Sequence, residues 1–152
     1  MTKQDRRIGL QLTRTVPFGH CDPAGILYTP RALDYCLEAL DTVWKVVLDG
    51  LGWFELNVDH DRGTPFVNVQ LDFRSPVTAR ALLSLTVILE RVGTTSANFS
   101  VQAAQSGRPC FEAHLTSVLA VKSTMSKVSP DDWLRKKIQA AWDGEIPALL
   151  LA

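Results

Sequence analysis

A change in the spacing of apolar residues along this chain limits the folds open to it. From residue 33 to residue 47, apolar side chains recur at every third or fourth position, which is the period of a helix with one buried face. The opposite face carries the charged residues Asp34, Glu38, Asp41 and Lys45. The pattern predicts one helix of about four turns that ends near Asp49 and Gly50.

After this helix the apolar period becomes two, which is typical of strands buried on one face. The alternating stretches are 67–73, 83–89, 97–103 and 111–121. Turn residues follow them at Ser75-Pro76, Val92-Gly93 and 106–109, so we expect the strands to meander antiparallel through hairpins. An earlier strand is predicted over about 10–16 and a C-terminal helix over about 130–142. This order predicts an α+β fold in which one curved antiparallel sheet wraps the central helix.

Length, charge and cysteine content exclude several classes of protein. The 152 residues predict a single domain spanning 1–152, and 16 basic residues balance 16 acidic ones. A chain without net charge has no global field to attract nucleic acid or an anionic membrane. The N-terminus has no apolar signal core, and no apolar run approaches the ~20 residues of a membrane helix. We therefore expect a cytoplasmic protein, with its three cysteines reduced and unpaired.

The chemistry is also narrowed by the motifs that the sequence lacks. It contains no Gly-x-Ser-x-Gly elbow, no Walker-type phosphate loop, no His-Glu-x-x-His and no dinucleotide glycine fingerprint. His20, Cys21 and Asp22 are possible metal ligands, but three consecutive residues without a distant pair make poor zinc geometry. The sequence therefore predicts chemistry that needs neither a metal nor another cofactor.

One loop places a carboxylate just before the predicted helix. The segment reads His20-Cys21-Asp22-Pro23-Ala24-Gly25-Ile26-Leu27-Tyr28-Thr29-Pro30. Pro23 and Gly25 favour a tight turn, and Pro30 suits the first turn of a helix, where a missing N–H costs nothing. Asp22 is then expected near free backbone N–H groups and the positive end of the helix dipole. An Asx turn or a helix cap is the alternative role for this aspartate.

Together with Phe18 and Gly19, this loop resembles the active-site loop of the 4-hydroxybenzoyl-CoA thioesterase family, whose fold is the hotdog fold. The resemblance implies that Asp22 is the catalytic carboxylate, acting as nucleophile or general base. It assigns the donor that polarises the thioester carbonyl to the backbone N–H of Tyr28 or Thr29. His20 stands where the family often has a second acidic residue, so the resemblance leaves it either orienting the carboxylate or serving as a polar loop residue.

The same resemblance implies substrate-binding residues further along the chain. Thr64, within Gly63-Thr64-Pro65, matches a threonine by which a neighbouring subunit lines the acyl pocket. Trp53 aligns with a pocket tryptophan, or alternatively is a core or lid aromatic. Arg91 lies near the family's CoA-contacting arginines, although only one arginine is present where two are expected.

The function implied is hydrolysis of a CoA thioester, preferably one of an aromatic acid, by a homo-oligomer assembled as a dimer of dimers, that is, a homotetramer. A short- or medium-chain thioesterase acting on CoA or carrier-protein thioesters is one alternative. A non-catalytic module that binds acyl thioesters is another. An enoyl-thioester hydratase is disfavoured, because that class has a histidine five residues after the aspartate and this chain has Leu27 at that position.

Overall fold

A five-stranded antiparallel sheet forms the frame of the molecule. The structure is a computed structural model that describes residues 8–143, with only the backbone described for Ile8. Its strands are β1 (Ile8–Arg14), β3 (Phe66–Phe73), β4 (Leu83–Val92), β5 (Ser96–Gln105) and β6 (Arg108–Val118). Alternate residues of β4, β5 and β6 are buried, as the period of two predicts. The predicted single domain spans 1–152. Its two termini, residues 1–7 and 144–152, lie outside the described residues.

The strands lie side by side in the order β1, β4, β5, β6, β3. Hairpins join β4 to β5 and β5 to β6, as predicted. The hairpin predicted at Ser75-Pro76 is wrong, because β3 pairs with β6 and its connection to β4 crosses the end of the sheet. The Gln105 side chain holds that crossing segment, since its amide nitrogen donates to the carbonyl oxygens of Thr78 and Ala81, both at 2.8 Å. The crossing leaves β3 as an edge strand.

Helix α1 (Thr29–Val47) packs its apolar stripe onto the inner face of the sheet. Its buried residues are Ala32, Tyr35, Cys36, Ala39, Leu40, Val43, Trp44 and Val47. Trp44 meets Phe99 of β5 edge-on, with ring centroids 6.3 Å apart. The helix ends where predicted, because Asp49 and Gly50 both adopt positive φ, at 54° and 99°.

Shorter elements close the end of the sheet beyond the C-terminus of α1. Helix α2 (Trp53–Val58) follows α1, and the two-residue strands β2 (Arg62–Gly63), β7 (Ala120–Val121) and β8 (Ser126–Lys127) form a second small sheet. Helix α3 (Asp132–Asp143) confirms the predicted C-terminal helix. Within residues 8–143, no helix combines the length and apolar character needed to cross a membrane.

Candidate active site

The loop before α1 is a miniature hairpin. A short 3-10 turn at Phe18–His20 leads into an isolated antiparallel bridge between Cys21 and Leu27. Asp22 N–H donates to the Ile26 carbonyl at 2.9 Å, and Tyr28 N–H donates to the His20 carbonyl at 2.9 Å. Gly25 turns the chain with φ at +79°, a conformation that glycine adopts without steric cost.

The carboxylate of Asp22 has one engaged and one unengaged oxygen. Its Oδ1 accepts a hydrogen bond from Ala24 N–H at 2.9 Å, which is the Asx turn that the sequence left open. Its Oδ2 has no hydrogen-bond partner anywhere in residues 8–143. The turn therefore fixes the carboxylate while leaving one oxygen for a proton or an electrophile.

The start of α1 supplies one unused backbone donor. Tyr28 is the N-cap and no side chain caps the helix. Tyr28 N–H is already bonded to the His20 carbonyl, and Pro30 has no N–H. Thr29 N–H finds no acceptor among the described residues. Of the two predicted oxyanion donors, only that of Thr29 is therefore open to a ligand at the positive end of the helix dipole.

His20 is anchored in the core through Tyr35. Its Nδ1 lies 2.8 Å from the Tyr35 hydroxyl oxygen, and the Tyr35 side chain is fully buried. The Arg14 guanidinium carbon lies 3.4 Å from the centroid of the Tyr35 ring, and Arg14 also pairs with Glu38. Burial raises the pKa of Tyr35. No motif in the sequence singles out Tyr35 or Arg14, although Tyr35 lies in helical phase with the buried stripe of α1.

Trp53 and Thr64 line a different groove, of about 340 Å³, between α2 and β3. Trp53 packs edge-on against Phe66, with ring centroids 5.9 Å apart and planes at 82°. Its indole Nε1–H is buried and has no acceptor within the part of the chain that the structure describes. Lys122 and Met125 complete one wall, so the groove combines aromatic surface with a positive charge.

One chain does not bring this groove to Asp22. Trp53 N–H donates to Asp41 Oδ1 at 2.8 Å, and Asp41 lies about 18 Å along α1 from Thr29. Arg91 does not line this groove but lies in a cleft that also contains Arg135 and Trp142. The predicted site residues therefore form two groups: His20, Asp22, Tyr28 and Thr29 at one end of α1, and Trp53, Thr64 and Arg91 at the other.

The crystal structure of a thioesterase superfamily protein from Jannaschia sp. CCS1 superimposes on this chain with a TM-score of 0.80. The two sequences are 36% identical over 86% of this chain and 91% of that one. This chain belongs to the thioesterase superfamily. The architecture that the superfamily shares with it confirms the predicted hotdog fold, a curved antiparallel sheet around a central helix with a further C-terminal helix.

Two CoA thioesterases share the fold at lower identity. A 1,4-dihydroxy-2-naphthoyl-CoA thioesterase from Synechocystis matches with a TM-score of 0.77 and 18% identity, over 89% of this chain and 96% of that one. A gentisyl-coenzyme A thioesterase matches with a TM-score of 0.72 and 21% identity, over 82% and 98% of the respective chains. No family model and no curated protein matches this sequence.

Proposed function

We propose that the protein hydrolyses CoA thioesters of aromatic acids, as a 4-hydroxybenzoyl-CoA thioesterase-like enzyme with Asp22 as its catalytic carboxylate. The observation that carries the proposal is the state of that carboxylate. Its Oδ1 is held by the Ala24 N–H and its Oδ2 is unengaged, on a loop that runs directly into α1. The unused Thr29 N–H lies at the start of the same helix.

Asp22 can act in either of two ways. As a nucleophile, Oδ2 attacks the thioester carbon, the C–S bond breaks, and CoA leaves as a thiolate that takes a proton; water then hydrolyses the acyl anhydride. As a general base, Oδ2 takes a proton from a water that attacks the same carbon, with the same departure of CoA. In both cases Thr29 N–H donates to the carbonyl oxygen as negative charge develops on it.

The edge strand β3 supports assembly into a homo-oligomer. Val69, Leu71 and Phe73 pair with the buried residues of β6, so their side chains lie on the inner face of the sheet. Nevertheless Val69 is 44% exposed and Phe73 is 50% exposed, because α1 does not cover this margin. An unpaired edge with an open apolar face is suited to antiparallel pairing with β3 of a second copy.

This pairing also explains how the two groups of residues can meet. Thr64 lies just before the start of β3. The Asp22 loop lies beyond the other end of β3, because Leu27 N–H in that loop donates to the Val77 carbonyl at 2.8 Å. The strand of eight residues separates these points by about 27 Å within one chain. Antiparallel pairing about a two-fold axis sets the start of one β3 beside the end of the other. Each site then contains Asp22 of one subunit and Thr64 of its neighbour.

Complementation between two impaired variants tests the shared site. Asp22→Asn removes the carboxylate, and Trp53→Ala opens the groove on the other side of the proposed interface. A mixed dimer has one site with both changes and one site with neither, so co-expression of the two variants is expected to give more activity than the sum of the two variants expressed separately. Mixed samples with no more than the summed activities of the separate variants contradict the shared site.

The aromatic preference rests on the walls of the groove. Trp53 and Phe66 present an edge-to-face pair beside Thr64, and the exposed ring of Tyr28 lies at the other end of the proposed site. Offset or edge contacts with an aryl group are worth about 0.5–1.5 kcal/mol each, which is up to roughly a tenfold preference. Arg91, at the groove end of the molecule, is proposed to contact the phosphates of CoA.

A turnover screen tests the function directly. Benzoyl-, hydroxybenzoyl-, short-chain and palmitoyl-CoA are offered separately, and then aryl and palmitoyl esters compete at equal concentration. We expect the aryl esters to have the highest kcat/KM and to be consumed first. Preferential loss of the long-chain ester contradicts the aromatic preference, and binding without turnover of any ester favours a non-catalytic acyl-binding module. Light scattering on the same preparation separates the dimer from the expected dimer of dimers.

A further inference from the structure

Tyr35 connects the candidate catalytic loop to the core of the protein. Its hydroxyl lies 2.8 Å from His20 Nδ1, and the side chain is fully buried. A buried hydroxyl without a partner destabilises the fold, and this imidazole nitrogen is the only side-chain partner of that hydroxyl among residues 8–143. This hydrogen bond therefore holds the side chains of both residues in place.

The direction of this hydrogen bond follows from the surroundings of the phenol. Burial raises the pKa of Tyr35, so the hydroxyl keeps its proton and needs an acceptor. The Arg14 guanidinium stacked on the ring makes the phenol a stronger donor. His20 Nδ1 is then the acceptor, which places the proton of the neutral imidazole on Nε2.

His20 transmits this anchorage to the catalytic loop by two routes. Its carbonyl accepts from Tyr28 N–H at 2.9 Å, which orients the peptide preceding the unused Thr29 N–H. Cys21, the one residue between His20 and Asp22, is extended, with φ at −93° and ψ at 152°, so a fixed His20 restrains the short backbone segment that leads to Asp22. A ring held at Nδ1 thus limits the positions that the Asp22 carboxylate can take.

We propose that Tyr35 is a positioning residue for thioester hydrolysis, which holds His20 as the Nε2–H tautomer and thereby orients Asp22 and the Thr29 N–H. This inference rests on the proposed function of the Asp22 loop. It assigns Tyr35 no contact with substrate. It also gives His20 a role that the second acidic residue of related loops cannot fill, because a carboxylate carries no ring proton to place.

The test combines a spectroscopic and a kinetic readout on the full chain. Protein labelled with ¹⁵N at histidine is compared with Tyr35→Phe, and the signals of His20 are identified by their loss in His20→Ala. Wild-type His20 is expected to show an acceptor-type Nδ1 and a protonated Nε2, and Tyr35→Phe is expected to mix the tautomers. Thr42→Val is the matched control, since it removes a hydroxyl that donates to the Glu38 carbonyl on the same helix, away from the loop. This control is expected to change neither spectrum nor rate.

In steady-state assays Tyr35→Phe is expected to lower kcat about tenfold, the effect of one net hydrogen bond, with KM within about twofold. The double variant with His20→Ala is expected to be no slower than His20→Ala alone. An unchanged His20 tautomer in Tyr35→Phe, or rate losses that multiply in the double variant, overturns the proposal. If Tyr35→Phe does not fold, a wild-type Nδ1 that carries the proton overturns it equally. Absence of turnover in the wild type refutes the proposed function alone, because the spectra still test the hydrogen bond.

Discussion

Replacing Asp22 by asparagine separates the catalytic role of this residue from its structural role. The amide oxygen of asparagine can accept the Ala24 N–H bond that Asp22 Oδ1 accepts at 2.9 Å, so the Asx turn is kept. The negative charge, the nucleophile and the base are all lost. We expect Asp22→Asn to fold normally, with a melting temperature within about 1 °C of the wild type.

The expected kinetic loss is much larger than any structural effect. Removing a general base or nucleophile costs about 10² to 10⁴ in kcat, which is roughly 3–5 kcal/mol of barrier. Asp22→Ala also loses the turn hydrogen bond, whose net contribution at this exposed position is about 0.5–1 kcal/mol, or about 1–4 °C of melting temperature. The two variants are therefore expected to be equally slow but unequally stable.

The assay follows release of free CoA thiol from an aryl-CoA ester, with thermal unfolding measured on the same samples. A kcat for Asp22→Asn within threefold of the wild type refutes the proposed role of the carboxylate. Unfolding of Asp22→Ala but not of Asp22→Asn instead assigns Asp22 to the turn. A loss of rate in Asp22→Ala that Asp22→Asn does not share shows that the turn, and not the charge, carries the activity.

Two further predictions concern ionisable groups outside this loop. Burial raises the pKa of the Cys36 thiol to about 12, and Cys110 is also buried. A thiol reagent at mildly alkaline pH is therefore expected to modify Cys21 alone in the native protein, and all three cysteines after unfolding. Rapid reaction of Cys36 in the native protein contradicts this prediction. The Ser123 hydroxyl donates a hydrogen bond to Asp61 and lowers the pKa of that carboxyl in the folded protein. The bond therefore stabilises the folded protein above the pKa of about 3.9 that the carboxyl has in the unfolded chain, and this stabilisation is lost as the pH falls through the pKa in the folded protein. Ser123→Ala is expected to lower the free energy of unfolding at neutral pH, and chemical denaturation should show this difference shrinking below about pH 3. A difference that does not change with pH contradicts that linkage.

The sequence by itself determined the elements whose signals are local. The period of two predicts β4, β5 and β6, and the short turns between them leave pairing with the neighbouring strand as the simplest outcome. The helical period predicts α1 and its end at Asp49 and Gly50, where positive φ stops the helix. The turn around Asp22 is equally local, because Pro23 and Gly25 restrict the backbone within the loop itself.

Only the tertiary structure decided the relations between distant segments. The alternation in β3 does not say that it pairs with β6, because an alternating strand fits beside any strand that offers a free edge. The resemblance assigned Thr64 to a neighbouring subunit, and the structure sets Asp22 and Thr64 of one chain at opposite ends of β3 and α1, so the proposed site with both residues requires a second copy. Tyr35 was assigned no role from the sequence, because its hydrogen bond to His20 and its contact with Arg14 join three separate segments. Periodicity shows which side of an element is buried, but the partner that a buried polar group finds there is set by the packing of the whole sheet around α1.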